Sequence, residues 1–296
     1  MVRLSYAIGG IFLIGVASFY VLSAPRAVDV GAYEKLSGTA AAGQSVFWAA
    51  GCASCHMAPG ALGDDQLVLA GGQEFATNFG TFLAPNISSD RVHGIGGWST
   101  DNFAHAITCG ISPGGQHYFP ALPYAAYGKM APQDVVDLKA FMDDLPASAT
   151  PSQPHKVGFP FNIRRNVGIW KLLFLSDDFV LQGDLTPQVE RGRYLAEALA
   201  HCAECHTPRN ALGGLDTARW LGGAPNPSGK GQIPNITPGK LAWSEAEIVD
   251  YLTTGFTPEF DSVGGSMAHV VENMARLPDA DRAAIAAYLK AVPAVN

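Results

Sequence analysis

Cys52-Ala53-Ser54-Cys55-His56 and Cys202-Ala203-Glu204-Cys205-His206 are the stretches from which the rest of this 296-residue chain is read. Cys-x-x-Cys-His is the attachment signature for c-type haem. Its two thiols form thioether bonds to the porphyrin vinyl groups, and the adjoining His, on the same helical turn, supplies the proximal nitrogen to iron. A zinc knuckle would need two further ligands at short spacing, and a thioredoxin-like pair would need a βαβ context; neither surrounds these residues. Five Cys in so long a chain are too few for a disulfide scaffold. The fifth, Cys109, lies in no second motif of this kind and reads as a buried small apolar residue.

Outward from each motif the sequence repeats itself. Pro85-Asn86-Ile87-Ser88 and Pro234-Asn235-Ile236-Thr237 follow the first Cys by 33 and 32 residues, and Trp98-Ser99 and Trp243-Ser244 each stand 12 residues ahead of a glycine, Gly110 and Gly255. Helical periodicity leads into both Cys pairs, over Gly43 to Gly51 and Glu190 to His201, and closes both units, over Asp134 to Leu145 and Asp281 to Val292. One module has been used twice, with Gly- and Pro-rich loops and little room for a continuous sheet. The expected organisation is an N-terminal segment over 1–26, a first unit over 27–150, a connector over 151–186 and a second unit over 187–296. A unit of about 100 residues with so few strands has a thin core of its own, and a haem supplies the apolar surface around which its helices pack. The apo chain is therefore expected to be largely unfolded.

The N-terminal segment has no charge between Leu4 and Pro25 and carries Ile8, Ile11, Phe12, Leu13, Ile14, Val16, Phe19, Val21 and Leu22. It is expected to be an uncleaved transmembrane helix, because the apolar run exceeds the roughly 7 to 15 residues of a signal-peptide core. A cleavable signal, with Val21-Leu22-Ser23 ahead of Ala24, is the alternative. Both readings export the remainder, to the periplasmic face of the inner membrane or as a soluble periplasmic form.

The sixth iron ligand separates electron transfer from catalysis, since a Met thioether raises the potential and closes the site. In the first unit Met57 adjoins the proximal His and Met142 lies inside the terminal helix, which leaves Met130, with His117 as a rival that reads better as a loop histidine. In the second unit Met267 and Met274 compete, with His269 and His201 also available, although His201 precedes the Cys and reads as structural. The carbonyls of Pro85 and Pro234 are candidate acceptors for the other ring nitrogen of His56 and His206. Trp98 and Trp243 are either propionate donors or core residues.

With these residues placed, the chain resembles the membrane-anchored multi-haem cytochrome c subunits of periplasmic alcohol, aldehyde and gluconate dehydrogenases. The resemblance is carried by Phe79-Gly80, Pro85-Asn86-Ile87-Ser88, Gly94-Ile95-Gly96-Gly97-Trp98-Ser99, Tyr118-Phe119-Pro120-Ala121-Leu122-Pro123-Tyr124, Phe159-Pro160-Phe161-Asn162 and Gly264-Gly265-Ser266-Met267-Ala268. It implies a mainly α fold of two tandem class I cytochrome c domains after the transmembrane helix. It also implies Met267 rather than Met274 as the distal ligand of the second domain. Many relatives have Met where this chain has Leu122, so in the first domain the role passes to Met130, which relatives often also carry. The alcohol dehydrogenase subunits generally have three haem domains and a C-terminal anchor, so the electron-transfer role carries over and the particular dehydrogenase does not.

The expected function is that of a di-haem electron carrier without catalytic side chains of its own. Its two covalent haem c groups are held by Cys52, Cys55 and His56 and by Cys202, Cys205 and His206, with Met130 and Met267 on the far sides of the irons. It would pass electrons from a periplasmic dehydrogenase to quinone, a soluble cytochrome or a terminal oxidase. An anchored di-haem oxidase subunit and a di-haem peroxidase are the rivals. A net charge of −7 gives nothing to neutralise a row of phosphates, so nucleic acid is not an expected partner. The acidity is concentrated in residues 27–150, with 4 basic against 11 acidic side chains, compared with 9 against 12 in residues 187–296.

Overall fold

A computed structural model describes residues 2–26, 30–33, 35–227, 229 and 231–296. After α1 (Val2–Leu22), the first unit consists of α2 (Ala40–Ala49), the attachment turn α3 (Cys52–His56), a hairpin of β1 (Glu74–Thr77) and β2 (Gly80–Leu83), α4 (Thr100–Cys109), α5 (Tyr124–Tyr127) and α6 (Pro132–Asp143). The connector holds α7 (Asn166–Phe174). The second unit repeats the plan with α8 (Pro187–Tyr194), the attachment turn α9 (Ala203–His206), a short β3 (Ala224–Pro225) and β4 (Gln232–Ile233) pair, α10 (Glu245–Thr254), α11 (Met267–Met274) and α12 (Asp279–Ala291).

The duplicated Trp-Ser and Gly signals turn out to be helix ends. Ser99 and Ser244 are the N-caps of α4 and α10, each accepting a backbone N–H three residues on, from Asn102 at 3.1 Å and Glu247 at 3.3 Å. Glu247 returns a carboxylate to the Ser244 N–H at 2.7 Å, completing a capping box. Gly110 and Gly255 end the same helices in the left-handed conformation that only glycine adopts without penalty.

Each unit is closed by its first helix crossing its last. A Cβ on Gly43 would lie 1.9 Å from the Asp137 carbonyl oxygen, and one on Gly192 would lie 1.9 Å from that of Ala284. Glycine is thus required where α2 meets α6 and where α8 meets α12. The copies differ between this crossing and the Cys pair: Cys52 follows Gly43 by nine residues, and Cys202 follows Gly192 by ten. The extra residue is absorbed by a π-helical turn, Leu195–Leu199, which continues α8.

One core runs through both units, with Phe47, Leu69, Val135 and Leu138 in the first and Leu195, Leu221, Ala286 and Tyr288 in the second. The connector packs on the first unit through Phe82, Phe119 and Val167, with Arg164 stacked 4.2 Å above the Phe119 ring.

The expected transmembrane helix over 1–26 is not supported. α1 forms, but no helix among the described residues is long and apolar enough to cross a membrane. Behind Arg3, Ser5 and Tyr6, the apolar stretch within α1 runs from Ala7 to Leu22, about 24 Å of helix and short of the roughly 20 residues a bilayer core needs. Its C-terminal end is held by the body: the buried Ser23 offers its carbonyl to His117 Nε2 at 2.9 Å and its hydroxyl to Arg165 Nε at 2.8 Å.

Replacing Gly43 or Gly192 by Ala should destabilise the haem-loaded protein by about 1–3 kcal/mol or more through overpacking of backbone against backbone. Denaturant titration followed in the Soret band measures it.

Candidate functional site

Gly51, at φ 67°, turns the chain from α2 into the first attachment turn, and His201, at φ 41°, does the same before Cys202 without the freedom of glycine. All four motif cysteines are free thiols; Cys52 is buried and Cys205 exposed, with the other two between. Burial pushes the Cys52 and Cys202 thiols up to about 12, and burial together with the neighbouring Cys205 pushes Cys55 up to about 11. A redox-active Cys pair shows the opposite, a lowered value that supplies thiolate at neutral pH. Among the described residues no three or more His, Cys, Asp or Glu side chains are placed to hold a metal ion by themselves.

The histidines are oriented identically. His56 Nδ1 lies 2.8 Å from the Pro85 carbonyl and His206 Nδ1 lies 2.8 Å from that of Pro234. The carbonyl accepts, so Nδ1 carries the proton and Nε2 keeps its lone pair for a metal. Burial lowers both imidazole pKa values against the opposing effect of the carbonyl, which keeps the rings neutral.

The repeated Pro-Asn-Ile-Ser/Thr segment explains how the proline stays in place. Asn86 Nδ2 donates to the Ser148 and Thr150 carbonyls, both at 2.8 Å, while its Oδ1 accepts the Ser88 N–H at 2.9 Å. Asn235 Nδ2 donates to the Val295 carbonyl at 2.7 Å, and its Oδ1 accepts the Thr237 N–H at 2.8 Å. In both copies the asparagine ties the proline loop to the chain just beyond the terminal helix. The next residue pairs with the segment after the motif, Ile87 N–H to Leu69 O and Ile236 N–H to Leu221 O, each 3.0 Å.

This donor set fits haem c in each copy, with two protonated thiols on one turn and a neutral imidazole whose Nε2 is left for iron. The cytochrome c family model matches residues 40–146 and again residues 189–293. The chain belongs to the cytochrome c family. It is 53% identical to a "diheme cytochrome c-type" protein of Cereibacter sphaeroides over 97% of this chain and 96% of that one. It is 37% identical to the fructose dehydrogenase cytochrome subunit of Gluconobacter japonicus over 83% of this chain and 51% of that one. With the cytochrome c subunit of an alcohol dehydrogenase (quinone) of Gluconobacter oxydans it shares 33% identity, over 82% of this chain and 52% of the relative. The cytochrome thus spans nearly all of the first relative and about half of each of the other two. Two haem c groups and an electron-transfer rather than catalytic role follow from this membership.

The distal candidates occupy different settings in the cytochrome. Met130 is buried in the core just after α5, and Met142 is buried within α6. Met267 opens α11 half-buried, and Met274 ends it fully buried. Seven residues apart, they share one face of that helix at about 10 Å separation along its axis, so one iron can meet only one of them. His117 is committed to Ser23, and His269 pairs with Glu272 at 3.2 Å on the surface. Trp98 and Trp243 are half-buried against the core, the latter tilted over Tyr251 at 5.2 Å. Cys109 is half-buried with its carbonyl accepting the Lys171 ammonium, more exposed than expected for a core residue.

Sequence reasoning missed Glu197. It sits in the π turn, buried, and accepts the Val180 N–H at 2.6 Å, the Leu181 N–H at 3.2 Å and the Tyr288 hydroxyl at 2.8 Å; Trp220 Nε1 in turn donates to that hydroxyl at 2.8 Å. The one-residue excess between Gly192 and Cys202 was the available signal.

Glu197→Ala should cost about 2–4 kcal/mol by leaving the buried Tyr288 hydroxyl and two part-buried amides without an acceptor, and Glu197→Gln should retain part of the stability; thermal melts of the haem-loaded variants compare them. The apo chain, made with all four motif cysteines changed to Ser, should lack the cooperative melt of the loaded protein in far-UV circular dichroism.

Proposed function

We propose that this cytochrome is a periplasmic di-haem relay, working at the face of the inner membrane, that takes electrons from a dehydrogenase and passes them to quinone, a soluble cytochrome or a terminal oxidase. The observation that carries this reading is the pair of matched Cys-x-x-Cys-His turns with each imidazole oriented by a proline carbonyl. Relatives named as cytochrome subunits of fructose, gluconate and alcohol dehydrogenases support a dehydrogenase as donor. Haem supplies reversible one-electron chemistry at iron. The chain's residues do the rest. Cys52, Cys55, Cys202 and Cys205 would tether the two haems, His56 and His206 would bind iron through Nε2, and Met130 and Met267 would supply the second protein ligand of each. Met130 is the first-domain methionine presented by a loop rather than held inside a helix or beside the proximal His. Met267 lies at the edge of the core, whereas Met274 is enclosed in it. Export to the periplasm agrees with haem c being attached there.

Met130→Leu and Met267→Leu should each remove about half of the Met-to-ferric-iron charge-transfer absorption and lower one of two midpoint potentials. Met274→Leu should leave the band intact; loss of the band in that variant would transfer the role to it. Rapid mixing with a substrate-reduced periplasmic dehydrogenase should reduce both haems, whereas turnover of hydrogen peroxide by the cytochrome alone would overturn the relay. The acidic first domain should make that reduction slow down as salt rises, because it docks a basic surface.

A further inference from the structure

Ser54, inside the first attachment motif, accepts a 2.7 Å hydrogen bond from Nδ2 of Asn273, a buried residue of α11 in the other unit. Gly51, in its left-handed turn, lies close enough that a Cβ there would stand 3.4 Å from the same amide. Contacts also run the opposite way. His201, the residue before Cys202, places Nε2 3.3 Å from the Ala50 carbonyl, which also accepts the Tyr127 hydroxyl at 2.7 Å. The His201 ring meets the Tyr127 ring edge to face at 5.6 Å. Arg276 covers Trp48 at 4.0 Å. Glu204, the counterpart of Ser54, lines a cleft with Lys129. The residues that lead into the two attachment motifs, Ala50 and His201, therefore meet each other.

Neither Ser54 nor Asn273 is needed to attach haem, because the positions between the two cysteines are chemically free. Their bond ties the first attachment turn to α11 of the other unit. A part-buried polar pair at this contact favours one register over its neighbours, since a slip leaves the buried Asn273 amide unpaired.

We propose that Asn273 and Ser54, with His201 seated against Ala50, are positioning residues that hold the two attachment turns in one mutual placement, so that the two haems of one chain exchange electrons directly. In that exchange one iron goes from ferrous to ferric as the other goes from ferric to ferrous, with no bond made or broken. The proposal rests on the di-haem reading above and adds the junction and its residues.

The test uses full-length, haem-loaded protein. Pyridine haemochrome first counts haems; fewer than two per chain would defeat the di-haem reading itself and the proposal with it. With two haems present, wild-type protein should show a bisignate Soret circular dichroism couplet from neighbouring chromophores. After flash photoreduction, electrons should redistribute between the haems at a rate independent of protein concentration. Ser54→Ala and Asn273→Leu should weaken the couplet and slow redistribution severalfold, with haem content and the Met charge-transfer band unchanged. A plain Soret band with redistribution only between molecules overturns direct exchange. Wild-type couplet and rate in Ser54→Ala overturn the positioning role, and this variant decides the matter if Asn273→Leu does not fold.

Discussion

The hydrogen bond from each proximal imidazole to a proline carbonyl, 2.8 Å in both copies, is the constraint around which each unit is arranged. It fixes the tautomer and therefore which nitrogen can meet a metal. The proline must then be fixed as well, and an asparagine fastens it to the chain beyond the terminal helix. That helix in turn has to lie against the helix that leads into the cysteines, and the approach is so close that only Gly43 and Gly192 allow it. A chain of contacts thus links the iron-facing nitrogen to both ends of a module.

Much of this was legible because the same residues appear twice. Two copies of Pro-Asn-Ile and of Trp-Ser with a distant Gly marked positions under local constraint, and the structure supplies the reasons: carbonyl acceptor, loop fastener, N-cap and left-handed C-cap. What a single motif leaves open, duplication makes readable. The differences between copies were harder to see. A single added residue before Cys202 accompanies the π turn that brings Glu197 inward, and no periodicity argument signals a buried carboxylate whose donors lie in the connector and in α12. Met267 and Met274 share a helix face, so neither their spacing nor amphipathicity separates them. The N-terminal segment was overread because the whole uncharged stretch was measured, whereas its apolar part inside α1 begins only at Ala7.

The two units are alike in plan and unlike in electrostatics. Around the second attachment turn lie Glu204, paired with Arg209, and the buried Glu197 with its hydroxyl and indole neighbours. Around the first, Ser54 stands in place of Glu204 and Gly51 in place of His201. A relay needs inequivalent stations, and the two copies differ in charge close to their tethers while keeping one set of ligating residues.

The crossing of the first and last helices also sets an order of events in time. Thr39, just ahead of the first helix, donates its N–H to the Asp137 carboxylate at 2.7 Å, across 98 residues of chain. A contact of that sequence separation closes late, after the whole module has emerged. Until then Cys52 and Cys55 are on an open strand, reachable by whatever attaches the haem. In the closed module Cys52 is buried, so the crossing shuts over a haem that is already attached.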